Sequence, residues 1–286
     1  MKIKPQYCLN GSYFYCDDKQ LGQTNRAFRF GDAVFESMFV TSKRVPLLQK
    51  HFGRLKEAVA YMEMDLPEGF TAQRLAKEVE RLCNKNRLFQ GARARLTVFR
   101  NGDGLYTPTT NEASYLLEVN HFTEQEFTLN TMGWKIDTYP NEVKFPQKIG
   151  RYKTAQCVLS VKGSIYKKRS KLDEVLLLSP EQNVVEATAY NIFALKGNVL
   201  LTPCKESGCV LGVMRDAVME NAGKIGLQVE EVDFPVKILQ EAEEVFLTNA
   251  VVGLRWVLAW REKRYFSSKA RKIVELLNEE LIYNER

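Results

Sequence analysis

The chain has 286 residues, 45% of them hydrophobic and 27% charged, enough for two ordinary domains or one large one, each with its own core. Its 41 basic against 35 acidic side chains give a net charge of +6, which suits small anionic ligands and falls short of a nucleic-acid footprint. No window approaches the roughly 18 uninterrupted apolar residues of a membrane span, and residues 1–10, with Lys2 and Lys4, lack the apolar run of a signal peptide, so the expected compartment is the cytoplasm.

Short apolar runs open the chain, and Asn10-Gly11 between two aromatic segments reads as a hairpin turn in a small sheet. Two helices follow. Phe52, Leu55, Val59 and Met62 recur at helical spacing after His51, and Leu75, Val79 and Leu82 do so behind a Thr71 cap. Both stripes are expected to cover the sheet. Strand character returns over residues 92–100, stops at Asn101-Gly102-Asp103-Gly104, and resumes over residues 113–119 as the hairpin partner. Residues 121–125 are polar and read as a linker.

Beyond the linker the pattern predicts a helix over residues 153–168 whose apolar face holds Val158, Leu159 and Ile165, ending in the solvated run Lys167-Lys168-Arg169-Ser170-Lys171. Strands follow over residues 174–178, 184–195 and 198–202, then a helix from Val213, a strand over 244–249, and a last helix capped by Ser267 and striped by Ile273, Val274, Leu277 and Leu281. No G-x-G-x-x-G follows a strand, which disfavours a Rossmann domain. The six cysteines contain no C-x-x-C pair, and only His51 and His121 could complete a metal site. No metal is expected, and the thiols read as free and buried.

Three local features could carry chemistry. The loop Gly208-Cys209-Val210-Leu211-Gly212 runs into a helix beginning Val213-Met214-Arg215-Asp216, where free amides and the helix dipole suit a phosphate; a plain glycine-containing connection has the same pattern. Glu186 interrupts an otherwise apolar strand. It lies either on a wet face or buried against a partner such as a cationic ring nitrogen. Lys153 stands where the segment Lys148-Ile149-Gly150-Arg151-Tyr152 meets the expected helix, a place where desolvation would ease loss of its proton and formation of an imine, although most lysines are simply solvated.

Over residues 10 to about 260 the sequence resembles the class IV aminotransferases, the fold-type IV pyridoxal-phosphate enzymes. The matching pieces occur in the family's order: Asn25-Arg26-Ala27-Phe28-Arg29-Phe30-Gly31-Asp32-Ala33-Val34-Phe35-Glu36, His51-Phe52-Gly53-Arg54-Leu55, the Lys153 segment, Glu186-Ala187-Thr188-Ala189-Tyr190-Asn191-Ile192-Phe193, Leu211-Gly212-Val213-Met214-Arg215, and Val245-Phe246-Leu247-Thr248-Asn249-Ala250. The resemblance implies pyridoxal 5'-phosphate as cofactor, Lys153 as its aldimine lysine, Glu186 facing the pyridine nitrogen, and Arg54 pairing with the phosphate. The Val213 and Met214 amides would complete the phosphate cup, with the Asn249 side chain opposite. Met214 stands where many relatives have a threonine, so only its backbone is on offer.

The same resemblance implies a two-domain molecule with the cofactor at the domain interface: a smaller α+β domain over residues 1–120, the linker 121–125, and a larger α/β domain over 126–286 that holds Lys153 and Glu186. It implies a homodimer in which residues 101–108 reach the neighbouring subunit. The expected reaction is amino transfer between an amino acid and a 2-keto acid through a Lys153 aldimine and a quinonoid. The alternative is a 4-amino-4-deoxychorismate lyase, which shares those steps and then expels pyruvate to leave 4-aminobenzoate. Val158, where branched-chain enzymes place a tyrosine, and Asn249, often asparagine in the lyases, weaken a branched-chain assignment. A catalytically silent cofactor carrier has less need of both Lys153 and Glu186.

For the substrate side the expectation names Phe35, Arg95 and Arg100. Arg95 and Arg100 fall on opposite faces of one strand. Arg100 shares its face with Ala94, Leu96 and Val98, the more apolar one, and is preferred for gripping the substrate carboxylate.

Overall fold

The computed structural model describes residues 4–283, and Lys2 lies outside the described residues. The chain falls into two compact units: the residues up to Glu126 together with Tyr152–Gln156, and Phe127–Arg151 together with the residues from Cys157 onward.

The first unit contains β1 (Gln6–Leu9), β2 (Ser12–Tyr15), α1 (Arg26–Phe30), β3 (Ala33–Thr41), α2 (Leu48–Tyr61), α3 (Ala72–Lys85), β4 (Gly91–Arg100) and β5 (Ala113–His121). Its antiparallel sheet has the order β2-β1-β5-β4-β3. Asn10 and Gly11 both take positive φ, 51° and 87°, the geometry that joins two twisted strands by a two-residue turn. Thr71 caps α3 by accepting the Arg74 amide at 3.2 Å. Leu55 and Val59 of α2, and Leu75, Val79 and Leu82 of α3, pack in one core with Met38, Leu96, Val98 and Leu117 of the sheet. Leu75, Val79 and Leu82 are at most 1% exposed, and full burial of such a side chain stabilises by about 1.5–3 kcal/mol.

The second unit contains β6 (Trp134–Thr138), α4 (Val158–Arg169), β7 (Glu174–Leu178), β8 (Val184–Ala187), β9 (Asn191–Lys196), β10 (Val199–Pro203), α5 (Val213–Ala222), β11 (Gln228–Val232), α6 (Lys237–Glu241), β12 (Glu244–Asn249), β13 (Gly253–Trp260), β14 (Lys263–Arg264) and α7 (Ser268–Asn278). The sheet runs β11-β10-β9-β12-β13-β6-β7-β8, with β14 on β13. Every residue of β7 and β8 is buried, which is why these strands read as apolar runs without alternation.

Several expectations need correction. Lys153 is not helical: α4 begins at Val158, and residues 152–156 belong with the first unit because they are hydrogen-bonded along β3, Phe35 N to Lys153 O at 2.8 Å and Ala155 N to Ala33 O at 2.9 Å. The strand expected over 184–195 is two strands, broken where Ala187 N donates to Tyr190 O across a turn. The expected apolar face of α4 is largely wet, with Val158 71% and Ile165 53% exposed. The helix instead rests on Gly163, where a Cβ would lie 2.8 Å from Thr188 Cγ2. That close approach requires glycine and turns Val158 and Ile165 outward.

All six cysteines are free, as the sequence suggests, but only Cys8, Cys83 and Cys209 are buried, and Cys16 is exposed. Among the described residues no helix is long and apolar enough to cross a membrane. Ser267 holds the N-cap position of α7 without a capping bond. Its work is done by Glu244, 3% exposed, which accepts from Ser268 Oγ at 2.9 Å and from the Lys269 and Ala270 amides. Replacing Glu244 with alanine leaves buried donors unsatisfied and should cost about 1–3 kcal/mol, whereas Ser267→Ala should stay within about 0.5 kcal/mol. Urea unfolding midpoints test this, and equal losses in the two variants would contradict the assignment.

Candidate active site

In the first unit the hydrogen bonds between residues 153–155 and β3 fix the backbone of Lys153. Its Nζ then lies 4.9 Å from the centre of the Phe35 ring. The Arg95 guanidinium carbon lies 3.8 Å from the centre of the same ring. An amine and a guanidinium fork therefore share one aromatic residue.

Strand alternation sends the next residue, Glu36, to the opposite face of β3, towards α2. There its carboxylate accepts from Arg54 Nε at 2.8 Å and Nη2 at 2.6 Å, and from His51 Nδ1 at 2.7 Å. His51 and Arg54 meet one carboxylate because they stand three positions apart on α2, which places both on one face. A buried carboxylate with two such partners stays ionised. Burial alone would push Glu36 up, but the Arg54 charge and the hydrogen bonds from His51 and Arg54 bring it from its ordinary 4.5 down to about 2. Burial lowers the His51 ring, with Glu36 opposing.

Arg100, expected to grip the substrate's carboxylate, is bonded within its own unit. Its face does pack inward, but the guanidinium is occupied by the protein: Nε donates to Asp32 at 3.0 Å, Nη1 to Glu63 O and Asn111 Oδ1 at 2.9 and 2.7 Å, and Nη2 to Met62 O. Asp32 also takes Arg26 Nε at 2.8 Å, and Arg26 holds the loop after β4 through the Asp103 and Leu105 carbonyls. The apolar face that carries Arg100 is the core face of the sheet.

In the second unit Glu186 is 7% exposed. Lys144 Nζ donates to its Oε1 at 2.5 Å and the Val210 amide to its Oε2 at 2.8 Å. The Val210 bond ties the loop before α5 to β8. Asn191 Nδ2 holds the same loop through Val210 O at 2.6 Å, and at Gly212 a Cβ would lie 2.0 Å from Asn191 Oδ1, so the loop closes only with glycine there. Gly212 places α5 with no side-chain cap on its first amides. Val213 and Met214, the first two residues of α5, are buried. The Asn249 side chain bonds within its own unit: its Oδ1 accepts the Val251 and Val252 amides, each at 3.0 Å, and its Nδ2 donates to Ala189 O. The neighbouring Thr248, paired in register with Asn191 and 1% exposed, has a hydroxyl without a partner among the described residues.

The model of the amino-transferase class IV family matches residues 33–260. The chain belongs to that family. An aminodeoxychorismate lyase of Bacillus subtilis (strain 168) is 25% identical over 285 residues, covering 96% of this chain and 94% of the relative. In fold, the chain matches a branched-chain aminotransferase from Thermoproteus uzoniensis with norvaline at a TM-score of 0.87 and 20% identity, covering 96% of this chain and 94% of that one. A branched-chain amino acid aminotransferase from T.th. with pyridoxamine 5'-phosphate matches at a TM-score of 0.82 and 21% identity, covering 96% of this chain and 93% of that one. As a class IV member the chain is a pyridoxal-phosphate enzyme, an aminotransferase or a lyase of that family.

The groups present have the chemistry such a cofactor needs. A helix start without a cap and an arginine suit a phosphate, a lysine amine suits an aldehyde, and a buried carboxylate suits a ring nitrogen. The buried Thr248 hydroxyl is an orphaned polar atom of the kind a ligand satisfies. Sequence reasoning missed Glu36 and His51 as the brace for Arg54, although a lone carboxylate inside the apolar β3 and a His-x-x-Arg spacing were visible. It also missed Lys144, which lies outside any helix or strand and carries no periodic signal.

The folded value of Glu36 lies below its unfolded value, so its stabilisation is complete above about 4.5 and disappears as the pH falls towards about 2. Glu36→Gln should therefore unfold at lower urea than the native sequence at neutral pH, and the gap should narrow on acidification through that window. A gap that does not change with pH would contradict the ionised Glu36 described here.

Proposed function

We propose that the protein is an amino-acid aminotransferase that moves an amino group between an amino acid and a 2-keto acid. The observation that carries this reading is the convergence of Lys153 Nζ and the Arg95 guanidinium on the Phe35 ring, at 4.9 and 3.8 Å. An amine that exchanges a proton and a fork that holds a carboxylate are what an α-amino acid requires on adjacent atoms.

In this reading Lys153 carries pyridoxal 5'-phosphate through Nζ, Arg54 takes the phosphate while Glu36 and His51 hold its guanidinium, and the Val213 and Met214 amides complete the phosphate site. Glu186 keeps the ring nitrogen protonated. When bound, the cofactor supplies a conjugated cationic ring that takes up the electron pair left by the departing α-proton. Lys153 removes that proton and returns it, Arg95 orients the substrate by its carboxylate, and Phe35 keeps water from the reacting atoms.

A second reading, the aminodeoxychorismate lyase, has specific support: the Bacillus subtilis relative of that name aligns over nearly the whole of both chains. It would use the same residues and differ in the bond that breaks. The protein is further proposed to work as a homodimer in the cytoplasm. Support comes from Phe28, Leu105 and Tyr106, 87%, 78% and 89% exposed on the first unit, and from six free thiols, which suit a reducing compartment. An active species of 32.9 kDa by light scattering would refute the dimer.

The purified protein should be yellow. Lys153→Ala should lose both the colour and turnover, and Arg95→Leu should raise the Michaelis constant for the amino acid roughly 10-fold or more, with Arg100→Leu instead lowering stability. Spectra recorded against a panel of L- and D-amino acids and aminodeoxychorismate decide between the readings. A keto acid formed with the aminated cofactor supports transfer. Pyruvate released from aminodeoxychorismate alone, with no amino acid reacting, overturns it in favour of the lyase.

A further inference from the structure

We infer that Lys144 is a positioning residue that shares the Glu186 carboxylate with the cofactor's ring nitrogen, so that the ring holds its proton less tightly than an unshared glutamate would make it. This rests on the reading that Glu186 faces that nitrogen.

The contact is direct and sheltered. Lys144 Nζ sits 2.5 Å from Glu186 Oε1, with the two side chains 16% and 9% exposed. The lysine's backbone is pinned by its amide, which donates to Leu178 O at 2.8 Å. The other carboxylate oxygen takes the Val210 amide at 2.8 Å. A carboxylate offers about four lone-pair sites, so room remains for a ring N–H, but the charge that would hold its proton is already divided. An ammonium within hydrogen-bond distance in a desolvated setting makes a carboxylate a weaker proton acceptor.

The charges around Glu186 agree. On the loop before α5, the Cys209 thiol is pushed up first by burial and then by the Glu186 charge, while the Ser207 hydroxyl, Arg215 and Lys144 oppose the rise. Among the described residues, Lys144 and Cys209 are the ionisable groups that interact with this carboxylate, and of the two Lys144 is the one that bonds to it.

A lysine needed only to neutralise a buried carboxylate would affect stability and nothing else. A lysine that divides the charge also sets how strongly the ring pulls on the substrate's α-carbon, and the two roles separate in one measurement. The native sequence, Lys144→Met, Lys144→Gln, Lys144→Arg and Glu186→Gln are each loaded with pyridoxal 5'-phosphate carrying nitrogen-15 in the ring. The ring-nitrogen resonance is followed against pH, and the thermal midpoint of each cofactor-free protein is recorded.

The ring nitrogen should lose its proton at a pH about one unit or more higher in Lys144→Met and Lys144→Gln than in the native sequence, and Lys144→Arg should titrate with the native sequence. Lys144→Gln, which keeps a donor to Glu186, decides the question if Lys144→Met does not fold. Titration of both neutral variants with the native sequence, even with a lowered thermal midpoint, overturns the inference and leaves Lys144 a structural counter-ion. Glu186→Gln is the control for the underlying reading. If it leaves the resonance where it was, Glu186 does not face the ring nitrogen and both statements fall; if it moves the resonance while the lysine variants do not, only the Lys144 inference falls.

Discussion

The chemistry of the first unit depends on two backbone hydrogen bonds, Phe35 N to Lys153 O and Ala155 N to Ala33 O, which lay a short extended segment along β3. They fix the lysine by its own backbone and not by its flexible side chain. Because strand side chains alternate, the same register puts Phe35 beside the amine and sends Glu36 to α2. Once a carboxylate is driven into that interface it must be paired. His51 and Arg54, one turn apart on α2, pair it. A single strand thus positions the lysine, its aromatic neighbour and the carboxylate that braces Arg54.

The second unit meets a similar requirement with backbone. Glu186 lies on a fully buried strand, and its partners are an amide of the loop before α5 and the ammonium of Lys144. Because the Val210 amide is one of those partners, the carboxylate and the start of α5 are held at a fixed distance. Asn191 and Gly212 tighten the same loop. Substitutions at Gly212 should therefore disturb both the helix start and the carboxylate.

Much of this is legible in the residue order. The 3.6-residue stripes of α2 and α3 and the Thr71 cap point to the helices that cover the first sheet, and the alternation in β4 separates its core face from its Arg95 face. The departures have physical causes. An apolar face recommends Arg100 for the substrate, but such a face marks the core, where an arginine must be fully paired, and Asp32, Asn111 and two carbonyls do so. An apolar period after Lys153 suggests a helix from that residue; the hydrogen bonds of residues 153–155 go to β3, a pairing remote in sequence that no local pattern reports. Gly163 reverses the face of α4, since a close contact between helix and sheet outweighs the preference of Val158 and Ile165 for burial. Lys144 has no local signal because its role exists only through Glu186, 42 residues away.

The proposed chemistry requires that Lys153, and no other lysine, carry the cofactor. Sodium borohydride applied to the purified protein reduces the imine and fixes the pyridoxyl group irreversibly to its lysine, and peptide mass mapping then locates it. The label is expected on Lys153, in the peptide that follows Arg151. A label on Lys144 or Lys148 would contradict it, and with it the roles given to Phe35, Arg95 and the Glu36 brace.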